Sequence, residues 1–143
     1  MRRTISLLLL LAAFTAYGQR SSLDIDKGNA RLTVDGRPYL ILGGELGNSS
    51  ASCPEDIEAN MAKVARMGLN TILVPACWDL IEPHEDSFDF SLIDKVLEEA
   101  RRNDLKVVFL WFGAWKNSMS CYAPLWFKED YRKYPRAYTE GGK

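Results

Sequence analysis

The chain has 143 residues, with 18 Lys and Arg against 19 Asp and Glu and a formal net charge of −1. That balance argues against nucleic acid or an anionic membrane surface as partner, since both require a concentrated basic face. Three cysteines and a single histidine, with no C-x-x-C pair, argue against a zinc site, and no metal or other cofactor is expected.

Residues 1–18 read as an export signal. Arg2 and Arg3 form a positive start, Ile5 to Phe14 an apolar run, and Ala16-Tyr17-Gly18 a small-residue cleavage site. The run falls short of the roughly 20 residues that span a bilayer, so no stable membrane anchor is expected. Cleavage would take the net charge to about −3 and deliver the chain to the periplasm or the extracellular space. Cys53, Cys77 and Cys121 are an odd number for an exported protein: one disulfide with a free thiol, or three thiols, both fit, and buried or semi-buried thiols are favoured.

Residues 19–29 read as a polar linker. Arg31 to Val34, the turn pair Asp35-Gly36 and a second strand at Tyr39 to Leu42 then predict a hairpin, with Leu42 leading into Gly43-Gly44-Glu45. Ser52 or Cys53 is placed to cap a helix whose first turn holds Pro54, Glu55 and Asp56. Ile57, Met61, Val64 and Met67 give that helix one apolar stripe, and Gly68 ends it. Asn70 to Val74 reads as a buried strand stopped by Pro75, followed by a loop with Trp78, Asp79, Glu82 and Pro83. Ser91 and Asp94 match a capping pattern for a helix striped with Ile93, Val96, Leu97 and Ala100 and closed by Asn103. Lys106 to Phe112 reads as a third strand, Leu125 to Lys128 as a short helix, and the mixed-charge tail to Lys143 as a solvated loop.

Strands alternating with amphipathic helices predict an α/β fold with right-handed parallel crossovers, either a barrel or a doubly wound sheet. No G-x-G-x-x-G or Walker spacing follows any strand, which counts against a nucleotide-binding sheet. The absence of G-x-S-x-G and the lone His84 count against an α/β esterase. Polar and aromatic residues gather after the carboxyl ends of the strands, where parallel α/β folds hold ligands.

Trp78-Asp79-Leu80-Ile81-Glu82-Pro83 followed by Phe88-Asp89-Phe90 resembles the W-x-x-x-E-P and F-D-F segments of retaining glycosidases with (β/α)8 barrels, above all the β-galactosidase family (family 35-like, bacterial subgroup). Leu32 to Tyr39 resembles that family's opening hairpin, Gly44-Glu45 the end of its first barrel strand, Met67 to Thr71 its helix-to-strand junction, and Leu110 to Asn117 the third-strand end of the bacterial subgroup. The likeness spans roughly residues 30–137. Asp86 stands where the family's turn has Gly, a change a left-handed turn absorbs. Pro75 and Cys77 stand where many members carry a substrate-contacting Tyr and a Pro.

The resemblance implies the N-terminal portion of a (β/α)8 barrel over residues 30–143, incomplete because a closed barrel takes about 250 residues. It implies a carbohydrate substrate and a retaining two-carboxylate mechanism, with the catalytic Glu pair on later strands and no catalytic residue here. A non-catalytic carbohydrate-binding fragment or a truncated gene product is the alternative. Glu45, Trp78, Glu82, Trp115 and Asn117 are the candidate substrate contacts, the carboxylates for sugar hydroxyls and the indoles for stacking on a pyranose. For Glu45 and, more strongly, Glu82, a bond to loop N–H groups or an Arg competes with that role, Asp79 is expected to cap the loop, and Trp111 reads as core at the barrel top. Three strands cannot close a barrel, so open strand edges and a weakly cooperative fragment are expected.

Overall fold

Two left-handed turns shape the N-terminal unit, which extends to Leu40. The structure is a computed structural model describing residues 20–116, 121–138 and 140–141; the expected export signal lies outside them. Lys27-Gly28 (φ 48° and 84°) and Asp35-Gly36 (φ 52° and 73°) take positive φ at both central positions, the geometry that reverses a hairpin in two residues. They link β1 (Ser21–Asp26), β2 (Asn29–Val34) and β3 (Arg37–Pro38) into an antiparallel sheet in that order. Strand β1 thus occupies part of the segment read as a linker. Its alternating Leu23 and Ile25 are exposed, and so little burial leaves only a faint strand signal in sequence.

The second unit starts at Ile41 and is built on three parallel strands, β4 (Gly43–Glu45), β5 (Thr71–Cys77) and β6 (Lys106–Phe112), in that spatial order. The hairpin strand expected at Tyr39 to Leu42 is displaced: the paired residues end at Pro38, with one further bond from the Tyr39 N–H to the Leu32 carbonyl at 2.9 Å, and pairing resumes at Gly43 with β5 as partner. The Asn70 side-chain oxygen accepts from the Leu42 N–H at 2.9 Å, and the Asn70 N–H donates to the Leu42 carbonyl at 2.9 Å, which anchors the residue before β4 to the start of β5.

Helix α1 (Pro54–Arg66) joins β4 to β5, and α3 (Ser91–Arg102) joins β5 to β6. Pro54 at the start, with Glu55 and Asp56 in the first turn and Lys63 and Arg66 in the last, suits the helix dipole. Gly68 (φ 76°) lies just past the C-cap Met67, which is exposed instead of extending the apolar stripe. Ile57, Met61 and Val64 from α1 and Val96 and Ala100 from α3 pack with Ile72 and Val74 of β5 into one core. Both helices therefore cover the same face of the sheet, as in a segment of barrel wall.

The α3 cap differs from expectation. Phe90 is the N-cap residue, and the carboxylate of Asp89 accepts the Ser91 N–H at 2.8 Å, which holds Asp89 below its ordinary pKa. At the other end Asn103 keeps a negative φ, and Asp104 (φ 51°) makes the left-handed step. The stripe also includes Glu99, only 3 % exposed, which accepts from Lys95 at 2.7 Å and from Arg102 at 2.8 Å. Lys95 reaches Glu58 of α1 at 3.6 Å, so the buried carboxylate belongs to an ion-pair chain that ties the two helices.

The register separates two sheet faces. Ile72, Val74 and Ala76 pair with Val107, Phe109 and Trp111 toward the helices; Glu45, Leu73, Pro75 and Cys77 share the other face with Val108, Leu110 and Phe112. Central β5 is nearly all buried, but edge strand β6 leaves Val108, Phe109 and Trp111 exposed. Trp111, expected in the core, is 60 % exposed: it lies on the helix-facing side, but at the end of the edge strand, beyond the cover that α1 and α3 give β5.

Candidate functional site at the carboxyl ends of the strands

Strand β5 ends in Cys77, and the chain turns at once into α2 (Trp78–Ile81). Burial, and next the charge of Asp79, push the Cys77 thiol up to about 11, so it is an unreactive thiol at neutral pH. Cys53 and Cys121 are likewise free.

Trp78 projects from that turn and is held by Glu82. Its indole N–H donates to Glu82 Oε2 at 2.7 Å, while the Asp86 N–H donates to Oε1 at 3.0 Å. Asp86 takes φ 59°, the left-handed turn that glycine would otherwise supply. Both oxygens of Glu82 therefore serve its own loop. The expected bond to its own loop is present at Glu82.

Trp78 meets Trp126 edge-on at 5.8 Å between ring centres and Phe127 at 5.0 Å. Both lie on α4 (Leu125–Glu129), and Tyr134 completes the group at 5.8 Å from Trp126 and 4.6 Å from Phe127. The Trp126 indole N–H donates to the Glu82 carbonyl at 2.9 Å, and the Asp79 N–H donates to the Tyr122 carbonyl at 2.9 Å. Lys133 and the Tyr134 hydroxyl both donate to Glu85 Oε1. The tail read as a solvated loop is thus fastened, as far as Tyr134, to the loop after β5. No periodic pattern marks this cluster in sequence; the adjacency of Trp126 and Phe127 is its only signal.

The remaining candidates are dispersed. Glu45 is exposed on the open sheet face, level with Leu73 and Val108. That is about 13 Å along the strand from the Cys77 end, at roughly 3.3 Å per residue. Trp115 is 71 % exposed beyond β6, and Asn117 lies outside the described residues. Asp79 makes no cap through its buried Oδ1, which has no hydrogen-bond partner among the described residues. Phe112 closes the inner face against Tyr122 at 5.1 Å, with the Lys116 ammonium 4.6 Å from its ring centre.

Residues 50–141 match the sequence profile of glycoside hydrolase family 42, described as β-galactosidase. The chain belongs to this family. No curated protein matches the sequence. Among solved structures, the exo-β-1,4-mannosidase Op5Man5 from Opitutaceae bacterium strain TAV5 aligns with a TM-score of 0.54 at 19% identity, over 66% of this chain and 19% of that one. The endo-1,4-β-mannanase from Rhizomucor miehei aligns with a TM-score of 0.52 at 16% identity, over 76% of this chain and 33% of that one. These likenesses bear on fold alone, and the chain spans about a fifth and a third of the two lengths. The parallel unit is accordingly the N-terminal part of a (β/α)8 barrel, incomplete in this chain.

Paired carboxyls in such hydrolases stand roughly 5–10 Å apart. Glu82 has both oxygens engaged, by the Trp78 indole and the Asp86 N–H, so it presents no free carboxylate for such a pair.

Proposed function

We propose that this chain is the N-terminal portion of an exported, β-galactosidase-like glycoside hydrolase, which cleaves β-linked sugars with retention through a Glu pair on later barrel strands. The observation that carries this reading is the indole ledge at the carboxyl end of β5. Trp78 is clamped by Glu82 and backed by Trp126 and Phe127, within the segment that matches the family. A rigid aromatic surface at that end of a barrel suits the C–H face of a pyranose. In this reading Trp78 and Trp115 stack on sugar rings, Glu45 and Asn117 bond hydroxyls, and Glu82 positions Trp78.

The finer assignment to a bacterial, family 35-like subgroup rests on the resemblance of the run from Leu110 to Asn117 and on to Trp126. Pro75 and Cys77, both buried here, stand where many relatives carry a substrate-contacting tyrosine and a proline, so a β-linked hexose other than galactose is the second reading. A gene product extending past Lys143, assayed on nitrophenyl β-galactoside and β-mannoside with the product anomer followed by proton NMR, tests both. Hydrolysis with retention is expected; inversion, or inertness toward every β-glycoside, would overturn the proposal. Export is tested by N-terminal sequencing of the secreted protein, with cleavage expected after Gly18 and an intact Met1 counting against it.

A further inference from the structure

A groove of about 550 Å³, open to solvent, lies along α4 and the turn that follows it, lined by Trp126, Glu129, Asp130, Tyr131 and Arg132. Its volume is in the range of small-molecule sites, roughly 300–1,000 Å³.

Its walls are fixed from outside. Trp126 is tied to the Glu82 carbonyl and flanked by Trp78 and Tyr134. Asp130 Oδ1 accepts the N–H groups of Arg132 at 3.1 Å and Lys133 at 3.0 Å, which holds the turn. Tyr131 is braced by Arg136, whose guanidinium lies 4.6 Å from the ring centre and donates to the phenol oxygen at 2.8 Å.

The charged lining, in contrast, is unspent. The Glu129 carboxylate and the Arg132 guanidinium form no hydrogen bond or ion pair with one another or with any other described residue. A free acceptor and a free fork of donors beside two aromatic side chains match a sugar ring, which offers hydroxyls at its rim and C–H groups on its faces. With Arg136 against Tyr131, two carboxylates balance two guanidiniums, which leaves no surplus positive charge to hold a uronate or phosphate and suits a neutral sugar.

We propose that this groove is a neutral-sugar subsite of the same binding face, with Tyr131 and Trp126 as platform and Glu129 and Arg132 as hydroxyl partners. The proposal rests on the glycosidase reading above. Because Trp126 bonds to the residue that clamps Trp78, groove and ledge share a wall, and the subsite takes a sugar unit next to the one on Trp78.

The test is saturation-transfer NMR of β-1,4-galactobiose with the full 143-residue chain, with a digalacturonate as anionic control. Tyr131→Ala, Arg132→Ala and Glu129→Gln alter exposed side chains, and far-UV circular dichroism checks that each variant folds. Galactobiose is expected to bind and digalacturonate not. Each variant should weaken binding about fivefold, as for loss of one net hydrogen bond or contact. Unchanged affinity in Tyr131→Ala and Arg132→Ala, no galactobiose binding by the parent chain, or a preference for digalacturonate would overturn the subsite. Trp115→Ala separates this from the broader proposal: loss there with no effect in the groove variants sinks the subsite and leaves the sugar-binding face standing.

Discussion

Glu82 shows how a residue type can be legible while its task is not. A carboxylate directly after a helical turn, with proline after it, reads equally as a sugar ligand or a loop acceptor. What decides is the placement of the Trp78 indole and the Asp86 N–H on its two oxygens, and the Asp86 turn needs a left-handed φ that sequence only permits. Glu82→Ala should leave the indole N–H unpaired at a cost of about 1–3 kcal/mol. The expected outcome is faster amide exchange across residues 78–90 and a shifted tryptophan emission. Asp79 gives the opposite case. Its buried Oδ1 has no donor among the described residues, so Asp79→Asn should keep or raise the exchange protection of the loop; a clear fall would show that the carboxylate has a partner.

Regular elements are legible where one face is buried. Gly68 and the stripe of Ile57, Met61 and Val64 define α1 from sequence because periodicity and a left-handed stop coincide there. Met61 is fully buried in the core, so Met61→Ala should cost about 2–5 kcal/mol and lower amide protection in both α1 and β5. Strand β1 is obscure for the converse reason, since its register depends on Lys27-Gly28 and on almost no burial. The segment from Asp130 to Tyr134 is obscure because its anchor, Glu85, is remote in sequence. The bonds from Lys133, and next from Tyr134, hold Glu85 below the ordinary carboxylate range. The contribution of the clasp is therefore complete above the ordinary glutamate pKa and is lost as pH falls through the lowered value. Protection factors over residues 130–136 should be flat at neutral pH and drop only in that acid range. Glu85→Ala should remove about threefold of protection at neutral pH, as expected of a surface ion pair.

For the whole molecule, the alternation of strands and helices points to an α/β fold, but barrel and doubly wound sheet separate only once α1 and α3 are seen on one face of β5. The exposed Val108, Phe109 and Trp111 on edge strand β6 form a template for pairing with other chains. The 143-residue chain is expected to self-associate and to melt over a broad range, whereas a sharp, concentration-independent transition would mean that these edges are covered. We propose one wall of a sugar site at Trp78, Glu82 and Trp126, and Glu82, with both oxygens engaged, is not free to act as one of a catalytic pair. The most direct measurement is turnover of nitrophenyl β-galactoside by this chain and by its Glu45→Gln and Glu82→Gln variants. No turnover above buffer is predicted for any of the three. Hydrolysis by the parent chain that disappears in either variant would contradict the account.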